Sequence, residues 1–352
     1  MDIKTIEDIQ RLVVTGITDW KQYGRVNVRE RGDLLIFNYS QEAQFAAEWT
    51  PLERMSRGLI INRVTGEIVA RPFDKFFNVG ELGLYPSGPI RSVTEKVDGS
   101  LGILYRENGD YRIATRGSFD GEQALWATAF LNRYNDYSLP HKMSTLENEL
   151  TLLFEIVYPS NRVVVDYGEA ERLVLLAARN RFTGEYLPAD DVLVIAGRWH
   201  FHFPRVYELD TVEDILALST QIDANQEGWV IEMEDGSRWK VKGEEYKKLH
   251  RLITGLSFKW VLEAVAAGNV QQALEMIPDE FSSQVKQWLA EIDQRFNRVK
   301  TQCEQAFSCA PVGVSRKEYA LWVMENYKPL SSYLFAMLDN RPIDQMIYKS
   351  LG

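Results

Sequence analysis

The chain has 352 residues, 45% of them apolar and 26% charged, an ordinary globular composition with material for two cores. Its net charge of −10 is uneven: residues 251–352 hold 11 Lys/Arg and 11 Asp/Glu, leaving 29 basic against 39 acidic groups in residues 1–250. That balance excludes indiscriminate coating of nucleic acid, and any polyanion must be held by a local basic patch. No apolar run approaches a membrane span, residues 1–7 lack a signal-peptide pattern, and two cysteines (Cys303, Cys309) are too few for a disulfide framework or zinc cluster, so a soluble cytoplasmic protein is expected.

Up to about residue 250 the chain reads as short strands separated by turns. Leu34–Phe37, Gly58–Ile61 and Glu67–Ala70 come first. Leu101–Tyr105 and Tyr111–Thr115 flank Asn108-Gly109, a hairpin signal. Thr151–Val157, Arg162–Asp166 and Leu173–Ala177 follow as apolar strands, and a second hairpin joins Trp229–Met233 to Arg238–Lys242 across Asp235-Gly236. Helices are expected only near Gly121–Asn132 and Val212–Leu218. Without regular β-α-β alternation, the fold class is α+β, an antiparallel-sheet domain over residues 1–250 with an N-terminal elaboration. From residue 251 the period becomes helical, in Leu262–Ala267, Val270–Ile277, Ser283–Ala306, Ser315–Tyr327 and Pro329–Leu338. Residues 251–352 are therefore expected to form a small all-α C-terminal domain.

Chemistry concentrates in Lys96-Val97-Asp98-Gly99. On an extended segment side chains alternate, so an amine nucleophile and a carboxylate at 96 and 98 would point the same way. Gly99 would remove a Cβ that could obstruct a bound nucleotide. In the second hairpin, a two-residue Asp235-Gly236 turn sets Ile231 opposite Lys240 and Trp229 opposite Lys242. Glu227, Lys240 and Lys242 then share a face, a phosphate clamp beside a carboxylate, with Trp239 and Val241 on the other. Glu155 lies mid-strand among large apolar residues, where a charge needs a partner such as a cation.

Taken in order, Ser56-Arg57-Gly58, Arg71-Pro72-Phe73-Asp74-Lys75-Phe76-Phe77-Asn78, Glu95-Lys96-Val97-Asp98-Gly99-Ser100-Leu101, Phe154-Glu155, Pro159-Ser160-Asn161-Arg162, Glu227-Gly228-Trp229-Val230 and Lys240-Val241-Lys242 resemble the covalent nucleotidyltransferase superfamily. More narrowly they resemble ATP-dependent RNA ligases of the phage tRNA-repair type, the RNA ligase 1 family. Gly117-Ser118 and Glu122-Gln123-Ala124-Leu125 fit the same pattern. The resemblance covers residues 30–250 well and the helical tail in kind and length. It implies an antiparallel nucleotidyltransferase domain, ATP and Mg²⁺ (with Mn²⁺ as a substitute) as cofactors, and RNA with 5′-phosphate and 3′-OH ends, broken tRNA included, as the partner. It implies Lys96 as the AMP-lysine nucleophile and Arg57, Lys75, Glu155, Glu227, Lys240 and Lys242 as further ATP-binding residues. Asp98, Glu155 and Glu227 are implied at the metal through water, and Phe77, Arg116 and Tyr246 as additional contacts. Arg116 stands where the family often has Lys, which exchanges a compact ammonium for a planar fork. The rival classes are DNA ligases and capping enzymes, which normally follow the last lysine motif with an all-β oligonucleotide-binding domain, and a non-catalytic RNA-binding module of the same fold.

Overall fold

The computed structural model describes residues 2–133, 149–253, 255–275, 277 and 281–351. Its strands in chain order are β1 Val26–Arg31, β2 Leu34–Tyr39, β3 Arg57–Asn62, β4 Ile68–Ala70, β5 Phe77–Asn78, β6 Ile90–Glu95, β7 Ser100–Glu107, β8 Asp110–Ala114, β9 Leu150–Val157, β10 Arg172–Asn180, β11 Val206–Tyr207, β12 Gly228–Met233 and β13 Arg238–Lys242. They form three sheets, in the orders β1-β2-β3-β4, β10-β9-β7-β8 and β11-β6-β12-β13-β5. All pairings are antiparallel except β13 with β5. The fold is therefore α+β, as its lack of β-α-β alternation predicts.

Alternation along the strands decides the layers. Leu35, Phe37, Leu59 and Ile61 turn to one side of the first sheet, under helices α1 (Ile6–Val13) and α3 (Pro51–Met55). Leu34, Ile36 and Ile60 turn to the other, against Ile103, Tyr105 and Leu153 of the second sheet. The far face of that second sheet is covered by α4 (Glu122–Arg133) and α5 (Ala189–Trp199). The third sheet buries Val93, Trp229, Ile231, Met233 and Val241 around Ile215 of α6 (Val212–Ser219). Its opposite face is left for the cleft described below.

Chain signals explain the successes and the omissions. Asn108 and Gly109 both take positive φ (52° and 95°), the type I′ requirement, and the β7–β8 hairpin closes there. The short helices α1, α2 (Gln41–Ala46) and α3, the 11-residue α5, and the helices Glu244–Ile253 and Asp344–Leu351 were not expected. Thr50, Ser40 and their capping contacts mark α2 and α3, but only five or six residues follow. The expected strand Arg162–Asp166 does not form, because the N–H groups of Val164 and Val165 donate to Asp98 (both 2.8 Å) in place of a sheet partner.

The chain divides into two units, Met1–Ile253 and Thr254–Gly352. The first ends with α7 (Glu244–Ile253). The second contains α8 (Phe258–Ala266), α9 (Val270–Glu275), α10 (Ser282–Ser308), α11 (Arg316–Asn326), α12 (Ser331–Leu338) and α13 (Asp344–Leu351). Residue 276 of the expected helix Val270–Ile277 lies outside the described residues. Within this unit Ser257 and Ser315 accept backbone N–H groups as N-caps of α8 and α11. Cys303, Ala336, Ile343 and Ile347 form one of its buried clusters.

Candidate functional site

Residues 96–99 join two sheets. The Lys96 N–H continues the β6–β12 ladder by donating to the Gly228 carbonyl (2.9 Å), and Ser100 opens β7 in the second sheet. Above this seam lies a cleft of about 670 Å³, within the range of small-molecule sites. The third sheet supplies Thr94, Val230, Glu232, Arg238 and Lys240, while the other two supply Arg57, Leu101 and Glu155. Lys96 lines it too, with Arg116, Gly117 and Ser118.

Glu227 organises the floor. It is 4% exposed, and its two carboxylate oxygens accept from Lys96 Nζ (2.6 Å) and Lys242 Nζ (3.1 Å). Burial alone would raise its pKa, but the two ammonium groups overcome that and hold it below the usual glutamate value. Glu155 contrasts with it. Burial, reinforced by Glu227 and Asp98 and only partly offset by Lys96 and Arg57, pushes its carboxyl up to about 8. No hydrogen bond or ion pair holds Glu155 among the described residues.

The hairpin register differs by one residue from the expected one. Val230 faces Lys240 and Gly228 faces Lys242. The loop has three residues, Glu234-Asp235-Gly236, closed by Met233 and Ser237, with Gly236 alone at positive φ (81°). A type I′ turn would need positive φ at Asp235 as well, whereas here its side chain accepts the Ser237 N–H (2.8 Å). Under this register Glu227 would fall on the face opposite Lys240. Gly228, at φ 136°, turns it back, in a position where a Cβ would lie 2.0 Å from the Val241 carbonyl oxygen. Trp239 and Val241 do pack on the far face, with Trp229 and Ile231.

A β-bulge aims Arg57. The β2–β3 register passes from Phe37–Leu59 to Asn38–Arg57 and skips Gly58 (φ 98°), whose Cβ would strike Ile103 at 2.2 Å. The Arg57 guanidinium sits 5.6 Å from the Phe76 ring and Lys240 Nζ 4.7 Å from the same ring. Arg116 donates to the Tyr39 hydroxyl (2.9 Å).

Six expected site residues do not line the cleft: Glu227 and Lys242 lie beneath it against Lys96, and Lys75, Phe77, Asp98 and Tyr246 are held elsewhere. Lys75 is 1% exposed, with Nζ among the rings of Tyr39, Trp49 and Phe77 at 5.1–5.7 Å and Glu81 at 3.9 Å. Phe77 belongs to that cage, and its neighbour Phe76 takes the cleft position. The parity argument fails for Asp98, since residues 96–99 are not a strand. Its Oδ2 accepts from Val164 and Val165 and its Oδ1 from the Tyr246 hydroxyl (2.9 Å), so Tyr246 is a buried strut of Asp98. Gly99 is needed for packing: its Cβ would meet the Ile156 carbonyl oxygen at 2.5 Å, before any nucleotide. Asn161 fastens the same seam, accepting from Ser100 Oγ (3.0 Å) and donating to the Ile156 carbonyl (2.8 Å). Among the described residues no three His, Cys, Asp or Glu side chains converge on a metal position.

Sequence reasoning missed Phe76, Arg238 and Glu232, which line the cleft, with Arg238 bonded to Glu232 at 2.6 Å and stacked 3.8 Å from the Tyr186 ring. The available signal was the two-residue spacing of Arg238, Lys240 and Lys242, which puts all three on one strand face. A cleft with several cations around a floor amine, beside a carboxyl that has no partner among the described residues, has the charge to receive a polyanion.

The RNA ligase family model matches residues 55–247, more than half of the chain, and the chain belongs to that family. It is 29% identical over 241 residues to a protein of Autographa californica nuclear polyhedrosis virus named as a candidate bifunctional polynucleotide kinase/RNA ligase, covering 62% of this chain and 34% of the relative. It is 32% identical over 243 residues to a candidate RNA ligase of Thermovibrio ammonificans, covering 65% and 61%. The chain thus spans about a third and three fifths of these relatives' lengths. Among solved structures, Naegleria gruberi RNA ligase with PPi aligns with 47% of this chain and 52% of its own at 19% identity and TM-score 0.39.

Proposed function

We propose that this protein is an ATP-dependent RNA ligase that joins 3′-OH and 5′-phosphate RNA ends, broken tRNA among them. The observation that carries the reading is the position of Lys96, a cleft-floor amine whose Nζ contacts Glu227 beside Lys242. In the first step Lys96 Nζ loses a proton, leaves the Glu227 contact and attacks the α-phosphorus of ATP. A P–N bond forms, the P–O bond to the β-phosphate breaks and pyrophosphate departs. A 5′-phosphate oxygen of RNA then attacks the lysyl phosphorus and takes the AMP, regenerating the amine. Finally the 3′-hydroxyl attacks that activated phosphate, a phosphodiester forms and AMP leaves. Lys240 and Lys242 hold the α-phosphate, and Arg57 holds the outgoing phosphates.

Mg²⁺ usually takes one or two carboxylates together with substrate phosphates, and Glu155 suits that role. It lines the cleft without an ion-pair partner among the described residues, whereas both oxygens of Asp98 and of Glu227 already accept hydrogen bonds within the protein. Bound there, the ion would neutralise charge on the phosphates; Mn²⁺ could replace it. The described residues after α7 are helical, without strands, which favours the RNA-joining reading over DNA-joining and capping rivals.

Incubation with α-labelled ATP and Mg²⁺, followed by a denaturing gel, tests the reading. Label on the protein should be acid-labile and base-stable, because protonating the phosphoramidate nitrogen makes it a good leaving group. It should be absent from Lys96→Ala and Lys96→Arg. Label that persists in Lys96→Arg overturns the assignment of the nucleophile.

A further inference from the structure

Strands β1 and β2 precede the family-matched residues 55–247, yet Asn27, Arg29 and Asn38 line the cleft. Asn27 pairs with Asn38 across β1 and β2, and through the bulge Asn38 pairs with Arg57. Three polar side chains thus form a row across three strands, about 5 Å per step, running from the proposed phosphate-binding arginine to an edge strand. Further along the same face, Leu34, Ile36 and Ile60 are core residues, so the row interrupts an apolar surface. The Asn38 side-chain oxygen and one Arg57 terminal nitrogen are buried without hydrogen-bond partners.

Arg29 lies two residues along β1 from Asn27, on the same face and exposed. The charges beside it on the strand are neutralised. Glu30 is bonded by Arg63 (2.8 Å), and Arg31 by Glu107 (3.1 Å) and Asp120 (2.6 Å). Among the described residues no acid or hydrogen-bond acceptor engages the Arg29 side chain. In a chain of net charge −10, an uncompensated guanidinium at a polar row beside a cleft marks a place for an anion supplied from outside.

We propose that Arg29, Asn27 and Asn38 seat the sugar–phosphate backbone of the RNA being sealed, close to its reacting end, with Arg29 on a phosphate and the two amides toward ribose hydroxyls. The proposal rests on the RNA ligase reading and adds to it a positioning surface built by strands outside the matched segment. Phosphate contacts fix register without reading bases, as an enzyme joining ends of any sequence needs.

The test separates the two half-reactions. Wild type, Arg29→Ala, Arg29→Glu and Arg29→Lys are labelled with α-labelled ATP and Mg²⁺, freed of ATP and mixed with 5′-phosphorylated single-stranded RNA over a range of salt. Arg29→Ala should take label at the wild-type rate but transfer AMP to RNA about tenfold more slowly at low salt, with a log rate–log salt slope flatter by about 0.7, the value for one phosphate on a single strand. Glu should be worse, and Lys should restore most of the loss. Fluorescence-anisotropy binding of the same RNA should weaken with the same change in slope. Unchanged transfer, binding and slope overturn the seat. A loss confined to lysine adenylation also overturns it, because β1 would then serve ATP. Wild-type protein that takes no label overturns the ligase reading, and the binding arm still judges the seat.

Discussion

Glu155 and Glu227 face the same amine yet are held in opposite ways, and the difference has a pH signature. The Glu155 carboxyl is raised from 4.5 to about 8, so between those values the folded chain keeps a proton that the unfolded chain has lost. Stability from this group is complete below about pH 4.5 and is lost as pH rises through about 8. Glu155→Gln keeps the shape without the titration. Its melting temperature, relative to wild type without divalent cation, should rise steadily between pH 5 and 8.5; a flat difference would mean that Glu155 is already ionised at neutrality. Of the residues expected at the site, Lys96, Arg57, Glu155 and Lys240 line the cleft and Glu227 and Lys242 join at its floor. Strand patterning was enough to flag most of them. Asp98 was legible as conspicuous and Lys75 only through the family resemblance, and neither as to its surroundings. The rings around Lys75 come from residues 39, 49 and 77, and the donors to Asp98 from residues 164, 165 and 246. Neither spacing nor alternation reports contacts of that range.

At the scale of elements, the β12–β13 hairpin shows how a wrong register can lead to a right grouping. The sequence pattern Asp-Gly suggests a two-residue turn, and the structure adopts a three-residue loop, which reverses the parity of β12 relative to β13. Gly228 reverses it again at the single residue that matters, because only glycine tolerates φ 136° with a carbonyl oxygen 2.0 Å from the Cβ position. Gly228→Ala should therefore remove Glu227 from between Lys96 and Lys242 and reduce adenylation by about 10²-fold or more, the scale of losing one positioned electrostatic group. Trp239→Phe on the apolar face should lower the melting temperature while leaving adenylation near wild type. The pair is decisive if both variants are soluble: an active Gly228→Ala, or a stable but inactive Trp239→Phe, would contradict this geometry.

For the whole molecule, the informative boundary is the end of α7. The sequence places the change of character at residue 250, where strand signals give way to helical periodicity, and the units meet at residue 253. The three residues matter less than the side of the cut on which Tyr246 falls. Its hydroxyl holds Asp98, two residues from Lys96, so α7 belongs to the unit that carries Lys96 and the cleft. The helices beyond carry balanced charge, 11 against 11 over residues 251–352, which suits selective contact better than general phosphate attraction. A chain ending at residue 253 should then still adenylate Lys96 and join short single strands weakly, while losing preference for a nicked anticodon-type stem-loop. The quantity to measure is the ratio of sealing rates on the two RNAs at matched salt, for the full chain and the truncation. An unchanged ratio would make the helices a buttress without a say in substrate choice. A soluble truncation unable to adenylate would mean that they complete the ATP site. A second cut at residue 243 also removes α7 and with it the Tyr246 strut, and adenylation should fall there even if the first truncation is fully active.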